Sequence, residues 1–298
     1  MNHNLLQRGA LRAALFVLLL SVAGTMKVFA QPHVFSVSEN TQVVFSPGNL
    51  QYQAITNTWR FAFNQWDYVG ADNANASETY YGWIDLFGWG TSGWDNGNIY
   101  YQPWSTNHKS YNDNLSYGYG PTDGLGNYEF DLTGAYGYSD WGHNPISNGG
   151  NEADMWRTLT HDEWAYVFYT RVTQSSIRYA KANVNGVNGM VLLPDDWSVE
   201  YYTLSSTNTY DANFDSNIIT ADVWVRSLES HGAVFLPAAG GRHGTALFVV
   251  GYNGLYWSAS CDYSRSAWSV DFNGSNLIIG RNYYRYFGLS VRLVCPSR

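Results

Sequence analysis

Apolar and polar residues alternate in short runs along most of this chain, and only two stretches carry a helical period. Val34 to Val44 and Asn49 to Gln53 alternate on either side of Ser46-Pro47-Gly48, a pattern that predicts a hairpin. Thr58 to Phe63 (TWRFAF) predicts the next strand, and Gly189 to Leu193, Ala233 to Leu236 and Ala246 to Val250 predict later ones. Thr160-His161-Asp162-Glu163 is a capping-box pattern, with Trp164, Val167 and Phe168 forming one apolar stripe toward Val172. A second helix is expected from Ala221 to Ser230, with Thr220 as its cap, Trp224 and Leu228 on one face, and Gly232 just past its end.

Between these elements, Asn64 to Gly150 is a long run of Gly, Asn, Asp, Tyr and Trp. A structureless loop of that length is rare in a compact domain, and its density of aromatics argues against disorder. An irregular but packed region is expected, with aromatic side chains as local cores. With 17% aromatic residues, 13% charged residues and 29 Gly, the composition fits a loop-rich α+β fold of short antiparallel strands and two main helices.

The first thirty residues read differently. Arg8 and Arg12 precede an apolar core from Ala13 to Ala23, and Val28-Phe29-Ala30 offers a small-residue cleavage site. Residues 1–30 are therefore expected to be a signal peptide. The mature chain would be exported, whether secreted, periplasmic or on the cell surface, without membrane insertion. Cleavage removes Arg8, Arg12 and Lys27 and no acidic residue, moving the net charge from -8 to -11. An acidic chain without a basic run lacks the electrostatic footprint for nucleic acid. Residues 31–298 are expected to form a single domain, since no linker or further apolar segment interrupts them. Export permits a disulfide between Cys261 and Cys295, the only cysteines; two unpaired thiols are the alternative.

Chemistry-bearing constellations are sparse. No His has metal-ligand spacing to another, no G-x-S-x-G elbow occurs, and Gly240-Gly241-Arg242-His243-Gly244 reads as a turn between strands. Calcium is possible at Asp72-Asn73-Ala74-Asn75, Asp95-Asn96-Gly97-Asn98 or Asn112-Asp113-Asn114, although turn formation explains those residues too. No other cofactor is expected.

The last stretch, Gly251 to Val294, interleaves two kinds of residue. Trp257, Ala259, Ala267, Trp268, Val270, Phe272, Leu277, Leu289, Val291 and Leu293 have the spacing of core positions on short strands. Between them lie Asn253, Asp262, Tyr263, Ser264, Arg265, Asn276, Arg281, Asn282, Tyr283, Tyr284 and Tyr286. Binding loops favour these types, because Tyr supplies contact area at low entropy cost while Ser and Asn hydrogen-bond adaptably. The run Arg281 to Tyr286 lacks alternation and is expected to be a surface loop.

Several motifs also resemble a known superfamily. Trp156 to Trp164 (WRTLTHDEW) is similar to the helix-opening motif of the formylglycine-generating enzyme superfamily. Gly254 to Ser260 and Gly288 to Val294 are similar to its closing strands, and Leu236 to Gly240 (LPAAG) to FISUMP-type major paralogous domains. The resemblance implies a single elaborated C-type lectin-like domain. Residues 251–294 further resemble the variable region of diversity-generating retroelement targets, in which adenine mutagenesis rewrites a C-terminal recognition surface. The absence of Lys, Glu, Gln and Met from this segment fits that resemblance.

The enzyme branch needs two closely spaced reactive cysteines, whereas Cys261 and Cys295 are 34 positions apart. Iron-binding relatives use a His-x-x-x-His-x-Glu set, which His161 and Glu163 do not form. The expectation is a non-enzymatic binding protein for a protein or glycan ligand. The alternative is a fixed carbohydrate-binding or adhesive protein using the Trp- and Tyr-rich loops.

Overall fold

The computed structural model describes residues 33–108, 117, 130–262 and 265–297. The chain opens with β1 (Phe35–Ser36) and β2 (Gln42–Phe45), paired antiparallel. β3 (Leu50–Gln53) does not fold back on β2, which corrects the expected hairpin around Pro47. It pairs instead with β4 (Thr58–Phe61), in register Leu50 to Phe61. The turn sits at Ala54–Thr56, closed by Asn57 in the left-handed region at φ 48°.

β2 takes its second partner from the far end of the chain. β5 (Arg157–Thr158) and β16 (Leu293–Pro296) complete a sheet of order β1-β2-β16-β5, with Val294 opposite Phe45. In the described residues between β4 and β5, Trp89, Trp141 and Tyr117 are fully buried, so this irregular region does pack around its aromatics.

The first helix forms as its sequence dictates. In α1 (His161–Ala165, continued by a wide turn over Tyr166–Thr170), the Thr160 hydroxyl accepts from the Glu163 N–H. The Glu163 carboxylate returns the bond to the Thr160 N–H at 2.9 Å. Arg157 clamps the same carboxylate with both guanidinium nitrogens, at 2.6 and 2.7 Å. Trp164, Val167 and Phe168 are fully buried on one face. The last turn closes when the Arg171 N–H reaches the Tyr166 carbonyl, and β-region φ/ψ at Arg171 ends the helix.

β6 (Tyr179–Val184) and β7 (Val187–Leu192) form a hairpin flanked by β8 (Ile218–Ile219), parallel to β6, and by β9 (Val234–Pro237). α2 (Ala221–Val223, continued over Trp224–Leu228) is capped by Thr220 and buries Trp224 and Leu228 against this sheet's cluster. Gly232 stops it at φ 80°, where a Cβ would run into His33. The expected turn over Gly240 to Gly244 is corrected: Gly241–His243 form β10, paired with β11 (Ala246–Phe248) on one side and β15 (Phe287–Gly288) on the other, and the chain turns only at Gly244, between β10 and β11.

The final sheet, β12 (Gly254–Cys261), β13 (Ser266–Phe272) and β14 (Leu277–Tyr284), divides two hydrophobic clusters. Leu255, Trp257, Ala259 and Ala267 face one; Tyr256, Val270, Phe272 and Leu277 face the other. Cross-bonds lock it in place. The Trp257 indole donates to the Phe87 carbonyl at 2.7 Å, and the Trp89 indole donates to the Ser258 carbonyl at 2.9 Å. Cys261 ends β12 and Cys295 lies in β16, both partly buried against the first of these clusters. Pro32–Arg298 behaves as one compact unit of mixed helix and short, mostly antiparallel strand.

Candidate ligand-recognition site

The sheet frame decides where the chemistry-bearing residues of the C-terminal stretch can point. β14 is an edge strand, bonded to β13 on one side. Its register runs Ser266 to Tyr284 and Ser269 to Arg281, then jumps so that Val270 meets Ile279. Gly280 is the extra residue of this bulge, at φ 91°. A Cβ there would lie 2.8 Å from the His161 imidazole, so glycine is required both for conformation and for space.

The expectation of a surface loop at Arg281 to Tyr286 is corrected by this register. Arg281 to Tyr284 are strand residues, and only Arg285 and Tyr286 form the turn into β15. The alternation was hidden because exposed polar and aromatic residues occupy both faces of an edge strand. Trp268 needs a correction as well. It shares the face of Val270 and Phe272 but is only half-buried, because the cluster ends at Val270. Beyond that point the indole has the His161 ring at 5.3 Å and side-chain-free Gly280 beside it.

Asn282, Tyr283 and Tyr284 line a surface hollow of about 360 Å³ together with Ser266 and Phe287. That volume lies at the small end of the range for ligand pockets, roughly 300–1,000 Å³. Phe287 is its hinge, with ring centroids 5.7 Å from Tyr283 and 6.5 Å from Tyr284. Tyr284 is exposed, while Tyr283 is half-buried and donates to Asp271 at 3.1 Å. Burial, reinforced by the Asp271 carboxylate, pushes the Tyr283 hydroxyl up to about 12. Tyr283 is thus a fixed wall and Tyr284 an open one.

Asp262, expected as a contact residue, lies beneath the hollow instead, only 6% exposed. Its carboxylate accepts from the Asn282 amide at 2.6 Å and the Ser266 hydroxyl at 3.3 Å. The Ser266 hydroxyl proton and one of the two Asn282 N–H groups are engaged, leaving the second Asn282 N–H, its amide oxygen and the Ser266 lone pairs to face a ligand. Asp262 therefore orients two walls of the site. Its burial follows from the β12–β13 turn, where its own N–H bonds the Ser266 carbonyl.

Not all of the expected residues converge. Asn253 precedes β12 and donates to Asp271, and Asn276 ends the β13–β14 turn; both sit at the Phe272 end of the sheet. The hollow is at the Ser266 end, six residues along β13 from Phe272, although Asn253 is linked to its Tyr283 wall through the Asp271 carboxylate that both bond. Arg281 is exposed on β14, next to the hollow-lining Asn282, and Arg265 is half-buried in the turn before β13. Tyr263 and Ser264 lie outside the described residues.

Tyr286 joins an aromatic cluster behind Phe287. His243 stacks on Phe287 at 5.0 Å and lies 5.2 Å from Tyr286, with the His108 ring 4.4 Å away. Burial, with the neighbouring His108 imidazole adding to it, lowers the His243 pKa. Beneath this cluster Arg242 is fully buried, and among the described residues no carboxylate pairs with it. It donates to the carbonyls of Leu86, Gly244 and Ser105, and burial lowers it to about 10. Ser266, Phe287 and His243 were missed by sequence reasoning. Phe287 carries a usable signal, as a large aromatic directly after the tyrosine run.

The proposed calcium segments are occupied by backbone bonding where they are described. Asn73 is fully buried, and its amide oxygen accepts from the Asp85 and Leu86 N–H groups. Asp95 accepts from the Gly97 N–H, and Asn98 from the Tyr100 N–H. Asn112 to Asn114 lie outside the described residues. Among the described residues no group of three or more His, Cys, Asp or Glu could hold a metal ion. Likewise, no helix among them is long and apolar enough to cross a membrane.

Comparison with protein-family models gives no match, and comparisons with curated proteins and with solved structures give none either.

Proposed function

We propose that this is an exported, non-enzymatic binding protein that presents its C-terminal segment as a recognition surface on a C-type lectin-like scaffold. The observation that carries this reading is the gathering of Asn282, Tyr283 and Tyr284 around one hollow with Ser266 and Phe287. Buried side chains fix the walls before any ligand arrives, through Asp262 under Asn282 and Asp271 under Tyr283. Such preorganisation lowers the ordering cost of binding. The motif resemblance at Trp156 to Trp164 and Gly254 to Ser260 supports the scaffold, as does a frame of short antiparallel strands with two helices.

A diversified surface is the extension of this reading. Residues exposed at the hollow can vary while Trp257, Val270, Phe272 and Leu293 stay fixed in the core. Sequencing the DNA flanking the gene tests it: a template copy differing from codons 251–294 only at adenines is expected, and its absence reduces the protein to a fixed binder. The binding claim is tested on glycan and peptide arrays with the wild type and Tyr284→Ala. A ligand retained by the first and lost by the second is expected; equal binding by both overturns the site.

In the described part of the Trp- and Tyr-rich loops, Trp89 and Trp141 are fully buried and Trp94 is half-buried against Tyr101 and Tyr138, which leaves Tyr81 as the strongly exposed aromatic there for the alternative, fixed carbohydrate-binding reading.

A further inference from the structure

The edge position of β14 gives the recognition surface a specific chemistry. Past the Gly280 bulge, Arg281 to Tyr284 are bonded to β13 through Ser266 to Ser269. Among the described residues, no other strand pairs with this edge. Proteins usually blunt such an edge with Lys, Pro or a bulge, since its free N–H and C=O groups template another strand. The bulge here precedes the exposed segment, and 281–284 contain neither Lys nor Pro.

Charge narrows the partner. The chain carries a net charge of -8, yet its C-terminal segment inverts that sign at the surface. Asp262 and Asp271 are buried at 6% and 8% exposure, and Arg285 and Arg292 are fully buried, while Arg281 is exposed. The exposed charge on the edge strand is thus a cation, beside an aromatic hollow that begins one residue later.

We propose that Arg281–Tyr284 accept an extended peptide as an added strand, its apolar or aromatic side chain entering the hollow and a carboxylate two residues away meeting Arg281. Main-chain bonds along the edge supply affinity, and the hollow supplies selectivity. Residues two apart on a strand lie on one face, about 7 Å from each other. That spacing matches Arg281 and Tyr283 on one face of β14, where Tyr283 forms one wall of the hollow, while Ser266, Asn282 and Tyr284 close it from the other face. The inference rests on the recognition reading above and names the ligand class for its site.

The test uses an immobilised array of dodecapeptides with an aromatic-x-Glu core flanked by Ser and Thr. Two further sets carry the same sequences methylated on alternate backbone nitrogens, in the two possible phases. The whole mature chain is expected to bind the parent peptides, to lose about tenfold in affinity for one methylated phase, and to retain the other. Arg281→Glu, checked for an unchanged melting temperature, is expected to shift preference to aromatic-x-Lys cores. Equal binding of both methylated sets, no binding of any peptide, or an unchanged preference in Arg281→Glu each overturns the proposal. So does a dimer of this chain that competes with peptide for the edge. If a glycan binds through Tyr284 while every peptide fails, the strand-addition inference falls and the recognition reading stands.

Discussion

Asn282 donates its side-chain amide to the Asp262 carboxylate at 2.6 Å, tying the exposed edge strand to the turn two strands away. One buried carboxylate thereby orients two walls of the hollow. Asp262→Ala leaves the Asn282 and Ser266 donors without their acceptor. The expected loss is about 1–3 kcal/mol of stability, together with weakened binding. Chemical denaturation reads the first effect and ligand titration the second. A variant as stable as the wild type would show that water replaces the carboxylate at no cost.

The two tyrosines that line the hollow are expected to behave differently. Tyr284→Ala removes an exposed ring and should shift the melting temperature little while reducing binding. Tyr283→Phe removes the bond to Asp271 and should cost about 1 kcal/mol. Burial raises Tyr52 to about 12 as well, so spectroscopic titration is expected to find two tyrosines ionising near pH 12 in the wild type and one fewer in Tyr283→Phe. Equal stability losses for Tyr284→Ala and Tyr283→Ala would mean that Tyr284 is a core residue.

Asp85 makes stability pH-dependent. It is fully buried, and burial raises it to about 6 despite bonds from the Val69 N–H and Asn73 amide that favour its ionised form. A carboxyl raised in the fold contributes stability that is fully present below its unfolded value near 3.8 and is lost as the pH rises through about 6. The full effect is on the order of 3 kcal/mol. Denaturation curves between pH 4 and 7 should therefore show a slope that Asp85→Asn reduces, with Asp140, also raised by burial, contributing in the same direction. An identical slope in both proteins assigns the dependence elsewhere.

The α1 capping box offers a local test. Thr160→Ala deletes the acceptor for the Glu163 N–H and should cost about 1 kcal/mol. Glu163→Ala also strands the Arg157 guanidinium and should cost more. Thermal melts of the two variants check the order.

What could be read from the chain divides along physical lines. Local signals survive in the sequence: the capping box, the Trp164-Val167-Phe168 stripe, the glycine stop at Gly232, and the buried strand faces at Trp257 and Phe272. Non-local pairing does not. Nothing near Val44 indicates that its partner is Cys295, so β2 was given to the wrong strand. Burial of charge is equally silent. Arg242, Arg285 and Arg292 are fully buried, and the Asp262 carboxylate lies under the site, although each residue type is ordinarily exposed. The recognition residues were recognisable by composition, but their division into two ends of one sheet depended on register. A single bulge at Gly280 sets that register.

The most direct test of the central claim is the amide hydrogen-exchange footprint of the mature protein with whichever array ligand it binds. New protection should appear at residues 265–266 and 281–288 and leave 64–108 unchanged. Protection confined to 64–108, with 281–288 exchanging as in the free protein, would contradict the account and move recognition to the aromatic loops.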